Sequence, residues 1–363
     1  MVLDRNLQNG LALGDANLVV ADSRTCLVIG GCGFLGRHLV EDLITRKWKI
    51  RVFDVRQTFD APEAVFHVGD LCDKKALIAA MQGCSTVFHC ASPAPSSSNK
   101  DMFWKVNVEG TKIVISACKA AQVSRLVLTS SASVIYEGND ILGDDEDSPY
   151  ATNPVDFYTS TKIAQEQLVL RANRVNNGRL LTIAIRPHGI FGPRDTTMVP
   201  TLADAARKGK MKFIIGDGNN VVDFTYVKNV SHGLILAALA LEKNSDLGGQ
   251  AFHITNDQPI LFWEFMKRLL EGLGYESPKR HLPRWLVYYL AIVLAFVSQL
   301  IGRFKKWEPT FTPMRVALIS THHTYSCEKA KNLLGYQPVV SLDEGIKLTL
   351  EHFDHLRNVD TYS

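Results

Sequence analysis

The chain has 363 residues, of which 46% are hydrophobic and 21% charged, and its formal net charge is +3. This length suggests one large domain or two unequal ones, and the small net charge argues against a nucleic-acid partner. The seven cysteines form neither a CxxC pair nor a Cys/His cluster of zinc spacing, which predicts free thiols in a reducing compartment and no metal site. Residues 1–24 lack the basic start and unbroken apolar core of a secretory signal, so we expect a loosely ordered leader.

A short apolar run follows the leader. Residues 26–29 read as a buried parallel strand that stops at a glycine. Glycines then recur at every third position, and apolar residues continue at helical spacing. Strand, glycine turn and helix in this order are typical of the first unit of a dinucleotide-binding fold, where the phosphates meet the helix N-terminus. The predicted phosphate-binding residues are Gly30, Gly33, Phe34, Leu35 and Gly36.

The next strand pattern, at residues 50–53, ends at Asp54. A carboxylate at this position accepts hydrogen bonds from the adenosine ribose and repels a 2′-phosphate, which favours NAD over NADP. Arg56 argues the other way, because a guanidinium could pair with that phosphate, so NADP stays open. Asp54 could also be a solvated carboxylate at the end of a strand.

Strand and helix patterns go on alternating, which predicts an α/β fold with a doubly wound parallel sheet and ligands at the carboxyl ends of its strands. Further strand patterns occur at residues 65–68, 86–89 and 125–128. The residues that follow the first two of these are therefore expected to bind the cofactor. We expect Asp70 and Leu71 to contact adenine, and Cys90 and Ala91 to lie beneath the nicotinamide ribose.

A tyrosine and a lysine lie one helical turn apart further along the chain. A phenol with the usual pKa of about 10 is a poor base at neutral pH, but a nearby ammonium favours the phenolate. Tyr158 and Lys162 share one helix face, so we predict Tyr158 as general base and Lys162 as the group that lowers its pKa and holds the nicotinamide ribose. Ser131, at a strand end, is suited to hold the substrate oxygen. Such a pair also occurs by chance, but here it follows a complete nucleotide-binding pattern.

The chain resembles the extended short-chain dehydrogenases/reductases, and within them the 3β-hydroxysteroid dehydrogenase branch. The matching segments are residues 30–36, 69–71, 88–91, 106–111, 129–131, 158–162, 186–193, 223–230 and 325–330. Ile29 departs from the pattern, since many members have threonine there. The resemblance implies an NAD(P)-binding Rossmann-like fold with a smaller substrate-covering domain, a cofactor contact at Pro187 and a homodimer.

Three longer strings narrow the resemblance; they are residues 88–93, 185–195 and 252–257. They imply NAD-dependent oxidation of the 3β-hydroxyl of 4α-carboxysterols with decarboxylation at C4, during cholesterol synthesis. The resulting β-keto acid can lose CO2 without a metal or a Schiff-base lysine. Arg186 and Arg194 are candidate partners for the substrate carboxylate. The alternatives are a 3β-hydroxysteroid dehydrogenase/isomerase and a non-catalytic nucleotide-sensing scaffold.

The resemblance also divides the chain. Residues 25–185 are expected to form mainly the dinucleotide-binding domain with the catalytic helix, and residues 186–363 mainly the substrate-covering part, with segments that can interleave. In the second part we expect a loop at residues 186–193, a helix at 202–208 and a strand at 213–215.

Residues 285–302 carry no charge and, as a helix, reach about 27 Å, barely the thickness of a bilayer core. At one end lie three residues that resemble interfacial anchors, Trp285, Tyr288 and Tyr289, and Arg303 begins a basic cluster after the other end. Because residues 325–338 match a part of the family that packs on the soluble domain, we predict a helix lying in the cytoplasmic leaflet of the endoplasmic reticulum, and on lipid droplets. A buried core helix is the alternative.

Overall fold

The computed structural model of the protein describes residues 24–94, 99–174, 178–301 and 312–358. The expected leader, apart from its last residue, and the basic cluster that begins at Arg303 lie outside the described residues.

The strands, numbered in chain order, are β1 (Thr25–Ile29), β2 (Lys49–Asp54), β3 (Ala64–Val68), β4 (Thr86–His89), β5 (Arg125–Thr129), β6 (Ile141–Asp144), β7 (Leu181–Pro187), β8 (Ile190–Phe191), β9 (Phe213–Ile215), β10 (Val221–Val222), β11 (Thr225–Tyr226), β12 (Gln250–Ile254), β13 (Ile260–Leu261), β14 (Arg280–Leu282) and β15 (His323–Tyr325). The helices are α1 (Phe34–Thr45), α2 (Lys74–Met81), α3 (Lys100–Phe103), α4 (Thr111–Ala120), α5 (Phe157–Arg171), α6 (Met198–Arg207), α7 (Val227–Lys243), α8 (Phe262–Gly272), α9 (Arg284–Ile301), α10 (Pro313–Leu318), α11 (Glu328–Leu334) and α12 (Leu342–His352).

A seven-stranded sheet in the order β12-β7-β5-β4-β1-β2-β3 forms the centre of the molecule, and all its neighbouring strands are parallel. Side chains of a strand point alternately to its two faces, and β1 shows this directly. Cys26 and Val28 belong to the core cluster that includes residues of α1 and α7, whereas Leu27 and Ile29 belong to the cluster of α2 and α4. Helices thus cover both faces, and the predicted doubly wound α/β fold is confirmed.

The strand order reverses at β1, which lies between β2 and β4. In open parallel sheets the crevice at such a reversal, outside the carboxyl ends of the strands, is where ligands bind. Gly30 follows β1 and Cys90 follows β4, so the sheet topology brings two of the predicted cofactor-binding segments to that crevice.

The later part of the chain adds β12 to the large sheet and forms smaller sheets of its own. The loop expected at residues 186–193 is only partly correct, because β7 extends through Pro187 and β8 pairs with β11. This pairing joins segments far apart in sequence, which a local pattern does not reveal. The helix expected at residues 202–208 begins earlier, at Met198, because the Asp195 carboxylate accepts hydrogen bonds from the first backbone amides of α6.

Helix α9 covers the uncharged segment of the sequence as far as Ile301. Two of its side chains, Val287 and Ala291, are buried. Its exposed apolar side chains are Trp285, Leu286, Tyr288, Tyr289, Leu290, Ile292, Val293 and Phe296. In the part of the chain that the structure describes, no helix has both the length and the apolar character needed to cross a membrane.

Candidate active site

The glycine turn between β1 and α1 brings backbone close to backbone. Gly30 has a positive φ of 78°, and a Cβ there would lie 2.7 Å from the Cα of Ala91. A Cβ on Gly36 would collide with the Gly30 carbonyl, so this glycine lets α1 pack directly on the turn. Gly33 caps α1 without a side-chain hydrogen bond, and a Cβ there would meet only the Gly30 carbonyl. The bare N-terminus of α1 therefore fits a pyrophosphate.

Asp54 lies at the rim of this turn. Its carboxylate accepts hydrogen bonds from the backbone amides of Cys32, at 2.9 Å, and Val55, at 2.7 Å. The carboxylate is thereby fixed beside the glycine turn, where the ribose of a bound dinucleotide would need an acceptor. Arg56 is exposed and makes no hydrogen bond or ion pair with any other described residue.

Asp70 and Leu71 follow β3 and have different surroundings. The exposed carboxylate of Asp70 accepts hydrogen bonds from the Cys72 amide, at 2.8 Å, and from Lys105 Nζ, at 2.9 Å. These two donors, the amide first, hold the pKa of Asp70 below its usual value. Leu71 is buried and packs against Gly110, so the pair presents one polar and one apolar side chain at the strand end.

Cys90 and Ala91 follow β4. The Thr129 hydroxyl donates a hydrogen bond to the Cys90 sulfur at 3.3 Å, and burial raises the pKa of the Cys90 thiol to about 11. The thiol is consequently protonated at neutral pH. Together with the Ala91 backbone against Gly30, it forms an uncharged floor at the carboxyl edge of the sheet.

Tyr158 lies in the first turn of α5, whose start is fixed by Asp156 accepting a hydrogen bond from the Thr159 amide at 2.7 Å. Burial and then the Asp156 charge raise the pKa of Tyr158, and a hydrogen bond with Ser131 opposes them. Ser131 is therefore a group that lowers the Tyr158 pKa in the structure, and the lowering expected from Lys162 stays a prediction. The structure does bring Ser131 to Tyr158, although they belong to different elements.

Lys162 is 2% exposed, and its ammonium donates hydrogen bonds to the Thr129 carbonyl at 2.7 Å and to Gln165 Oε1 at 2.6 Å. Burial lowers the pKa of Lys162 to about 8, while the charge of Glu166 acts in the opposite direction. Most Lys162 side chains thus keep their positive charge at neutral pH, one helical turn from Tyr158.

Behind Lys162 lies a buried network that the sequence analysis did not identify. Because Gln165 Oε1 accepts from Lys162, its amide nitrogen is the donor, and it lies 3.0 Å from Thr111 Oγ1 and 3.3 Å from His89 Nε2. His89 Nε2 also lies 2.9 Å from Thr111 Oγ1, and burial lowers the pKa of His89 to about 3. The neutral network holds the Gln165 amide in place, so that its Oε1 faces the Lys162 ammonium. In the sequence, the helical spacing of Gln165 from Lys162 was the signal that could have predicted this contact.

Each arginine considered for the substrate carboxylate has a carboxylate partner within the protein. Arg186 and Glu166 form a buried ion pair with Nη2 and Oε1 2.7 Å apart, and Tyr150 donates to the same carboxylate oxygen at 2.7 Å. Arg194 pairs with Glu41, again at 2.7 Å. The carboxylate partners argue against a role of these guanidinium groups toward the substrate. Among the described residues, however, Arg186 Nη1 and Arg194 Nε have no hydrogen-bond partner, so the hypothesis stays a prediction.

Pro187 ends β7 at the carboxyl edge, and a cluster of aromatic rings follows it. His188 donates from Nδ1 to the Asp223 carbonyl at 2.7 Å, which fixes its tautomer. Its ring stacks on that of His323 with centroids 5.3 Å apart and lies 5.1 Å from that of Tyr325. The cluster joins β7 to β15, so it ties the later part of the chain to the edge that carries the candidate site.

The fold and these side chains define an NAD(P)-binding extended short-chain dehydrogenase/reductase. The chain belongs to the 3-beta hydroxysteroid dehydrogenase/isomerase family, whose sequence profile matches residues 27–284. The resemblance seen in the sequence is thus confirmed.

Relatives with assigned names are similar in sequence to most of the chain. The Mus musculus protein named sterol-4-alpha-carboxylate 3-dehydrogenase, decarboxylating, is 56% identical to this chain, and the alignment covers 93% of each of the two chains. The Homo sapiens protein of that name is 57% identical over 93% of this chain and 90% of its own, and the Saccharomyces cerevisiae protein is 38% identical over 90% and 97%.

Solved structures have the same fold. MoeE5 in complex with UDP-glucuronic acid and NAD is 26% identical with a TM-score of 0.70, covering 91% of this chain and 99% of MoeE5. The crystal structure of gox2253 is 25% identical with a TM-score of 0.74, covering 92% and 98%.

Proposed function

We propose that this protein is an NAD-dependent dehydrogenase that oxidises the 3β-hydroxyl of 4α-carboxysterols and removes the C4 carboxylate as CO2, a step of C4 demethylation in cholesterol synthesis. The observation that carries the proposal is the grouping of Ser131, Tyr158 and a buried Lys162 at the carboxyl edge of the sheet, beside the glycine turn. Relatives with the corresponding name, at 56% and 57% identity, support the substrate class.

The cofactor would be held by residues from several strand ends. The N-terminus of α1 and its glycines suit the pyrophosphate, Asp54 the adenosine ribose, and Asp70 and Leu71 the adenine. Cys90, Ala91 and Pro187 would line the nicotinamide end, with Lys162 at the ribose hydroxyls. When bound, NAD supplies the acceptor for the hydride that leaves the substrate carbon.

The remaining chemistry belongs to the protein's own side chains. Ser131 donates a hydrogen bond to the substrate oxygen, and Tyr158 removes the hydroxyl proton as the carbonyl forms. The ammonium of Lys162 favours the phenolate by its charge. Once the 3-ketone exists, the same two hydroxyls can donate to its oxygen, which stabilises the enolate that forms as the C4–carboxylate bond breaks.

The decisive experiment supplies the purified protein with NAD and a sterol labelled in its 4α-carboxylate. Release of labelled CO2 together with NADH is the expected result, and the Tyr158→Phe variant should release both at least about 100-fold more slowly. Turnover of a 4-unsubstituted 3β-hydroxysteroid without CO2 from the carboxysterol would instead establish the dehydrogenase/isomerase alternative. NAD binding without turnover of either substrate would establish the nucleotide-sensing alternative.

We also propose that α9 attaches the protein to the cytoplasmic face of the endoplasmic reticulum membrane and to lipid droplets. Trp285 and Tyr289 are each 63% exposed, and the neighbouring exposed side chains of α9 are apolar. Leu290→Asp with Val293→Asp replaces two exposed side chains, so we expect loss of membrane binding with NAD binding retained. Retention of the variant on microsomes would contradict the attachment.

The topology of attachment has its own measurement. A helix lying in the leaflet leaves residues 325–363 open to protease in sealed microsomes, whereas protection until detergent is added would show that the chain crosses the membrane. The homodimer implied by the family resemblance remains a proposal, and sedimentation of the detergent-solubilised protein tests it.

A further inference from the structure

A cavity of about 530 Å³ lies between the segment after α6 and the segment before β14. Its lining includes Met211, Lys212, Phe213, Glu276, Lys279 and Arg280. None of these residues belongs to the candidate active site. The volume is within the range of sites that hold a small organic group. We call this cavity the basic groove.

The side chains that line the basic groove carry a net positive charge. Lys212, Lys279 and Arg280 contribute three cations, and Glu276 is the carboxylate among the six residues named. Within the described ranges, none of the three cations makes a hydrogen bond or an ion pair with another residue. Cations left without protein partners in a concave site attract an anion of matching size. The net charge of the whole chain is only +3, so this attraction is local.

The basic groove is joined directly to the start of α9. In the small sheet β14-β9, Arg280 is the register partner of Phe213, and the Gly216 amide donates to the Leu282 carbonyl at 2.8 Å. Pro283 alone separates β14 from α9. Phe213 is 39% exposed at the groove and Trp285 is 63% exposed at the helix start. Arg280 therefore lies five residues before Trp285, where the apolar surface that the membrane proposal assigns to the leaflet begins.

We propose that the basic groove binds the headgroup of an anionic phospholipid when α9 lies in the leaflet. The phosphate would receive hydrogen bonds from Lys212 and Arg280, and Glu276 would accept one from a headgroup hydroxyl or ammonium. A lipid is favoured over a soluble phosphate because the apolar helix holds the groove at the depth of headgroups. The inference rests on the proposed membrane attachment and adds a lipid preference to it.

The test is co-flotation of the full-length protein with vesicles of phosphatidylcholine alone, and of phosphatidylcholine with phosphatidylserine or with phosphatidylinositol. The double variant Lys212→Glu and Arg280→Glu should lose binding to the anionic vesicles by at least about 25-fold, since each basic residue at an anionic surface contributes about fivefold. Its binding to neutral vesicles should not change. Lys212→Gln with Arg280→Gln should show a smaller loss of the same kind, and covers the case in which charge reversal prevents folding.

A matched control has the same change of net charge at another place. Lys74→Glu with Lys75→Glu alters two exposed lysines at the start of α2, and we expect anionic-vesicle binding close to that of the wild type. If both double variants lose anionic-vesicle binding equally, the attraction depends on the net charge of the protein, and the groove proposal is overturned. Saturable binding of inorganic phosphate that the groove variants lose, together with anionic-vesicle binding that they keep, would assign the groove to free phosphate and overturn the lipid proposal.

The two membrane proposals fail differently. If Leu290→Asp with Val293→Asp abolishes binding to both vesicle types while the groove variants behave as the wild type, attachment stands and the groove is excluded. If the wild type binds only anionic vesicles, loses that binding in the groove variants and keeps it in Leu290→Asp with Val293→Asp, the groove binds the headgroup without α9 and attachment through α9 is contradicted. If the wild-type protein floats with neither type of vesicle, both membrane proposals are overturned.

Discussion

A buried ammonium next to the catalytic tyrosine is the central feature of the site at the scale of single residues. Removing a charge from water is costly unless oxygen acceptors replace the solvent. Lys162 has two such acceptors, the Thr129 carbonyl and Gln165 Oε1, and its pKa falls only to about 8. The protein thus keeps a positive charge inside its core at neutral pH, which is what a phenolate intermediate one turn away requires.

Gln165→Leu should move the pH profile of turnover. The change removes one acceptor from the Lys162 ammonium, so the pKa of Lys162 falls further and activity that depends on its charge is lost at lower pH. We expect kcat to decline on the alkaline side at least about one pH unit earlier, since a lost hydrogen bond to a charged group is worth roughly 1.5–3 kcal/mol. Gln165→Glu should shift the decline the opposite way. Equal profiles for all three proteins would show that Gln165 does not position Lys162.

Tyr158→Phe should leave NAD affinity nearly unchanged and lower turnover by about 10²–10⁴-fold, the usual effect of losing a general base. The variant keeps the ring that packs on Phe103, with centroids 5.6 Å apart, so the fold should not change. Isothermal titration with NAD and steady-state rates measure the two quantities separately. Near-normal turnover at neutral pH would refute the mechanism.

Asp54→Ala should shift cofactor preference toward NADP. The substitution removes both the ribose acceptor and the negative charge that a 2′-phosphate would meet at the glycine turn. NAD affinity should fall and NADP affinity should rise, as measured by the ratio of the two dissociation constants. If the wild type already prefers NADP, the exposed Arg56 governs the pocket and the cofactor assignment reverses.

At the scale of elements, the glycine turn and α1 act as one rigid unit. A Cβ on Gly36 would collide with the Gly30 carbonyl, and neither partner can move without displacing α1 from β1. Gly36→Ala should therefore weaken NAD binding at least tenfold, in about the range of one lost pyrophosphate contact. Gly143→Ala is a useful comparison, since Gly143 lies in β6, has a positive φ, and a Cβ there would meet no other atom within 4 Å. Equal NAD affinities in the two variants would contradict the close packing.

Local patterns predicted some elements well and others poorly, for a physical reason. The buried strands β1, β4 and β5 appear in the sequence because their apolar runs end at a glycine, a cysteine and a serine cluster. The pairing of β8 with β11, and of β6 with β15, depends on contacts between distant segments, and the sequence shows no local signal for it. The sequence likewise shows no local signal for the seven-residue π-helix Trp104–Gly110.

The candidate site divides in the same way. Three of the site residues, Gly30, Tyr158 and Lys162, belong to motifs whose spacing is typical of a particular chemistry. The sequence was therefore enough to propose their roles. The carboxylate partners of Arg186 and Arg194 come from helices elsewhere in the chain. The sequence could not show that both candidate arginines have carboxylate partners, because these ion pairs form only in the folded protein.

At the scale of the whole molecule, a set of buried neutral histidines distinguishes the interior. Burial is the largest cause in each case, and it lowers the pKa values of His38 to about 4, His89 and His253 to about 3, and His323 to about 2. In the unfolded chain each would have a pKa of about 6.5. The unfolded state therefore takes up more protons than the folded state as the pH falls below that value.

The free energy of unfolding should consequently be highest above about pH 6.5 and fall as the pH is lowered from there toward 4. Each buried histidine contributes about 1.4 kcal/mol per pH unit in this window. His253 offers a clean test because its side chain is fully buried and contacts the Tyr325 ring edge-to-face, with centroids 5.1 Å apart, a contact that phenylalanine can keep. Urea unfolding of His253→Phe at pH 7 and pH 5 should show a pH dependence reduced by about 2 kcal/mol over that interval. An unchanged dependence would mean that His253 is already protonated in the folded protein or stays neutral in the unfolded chain.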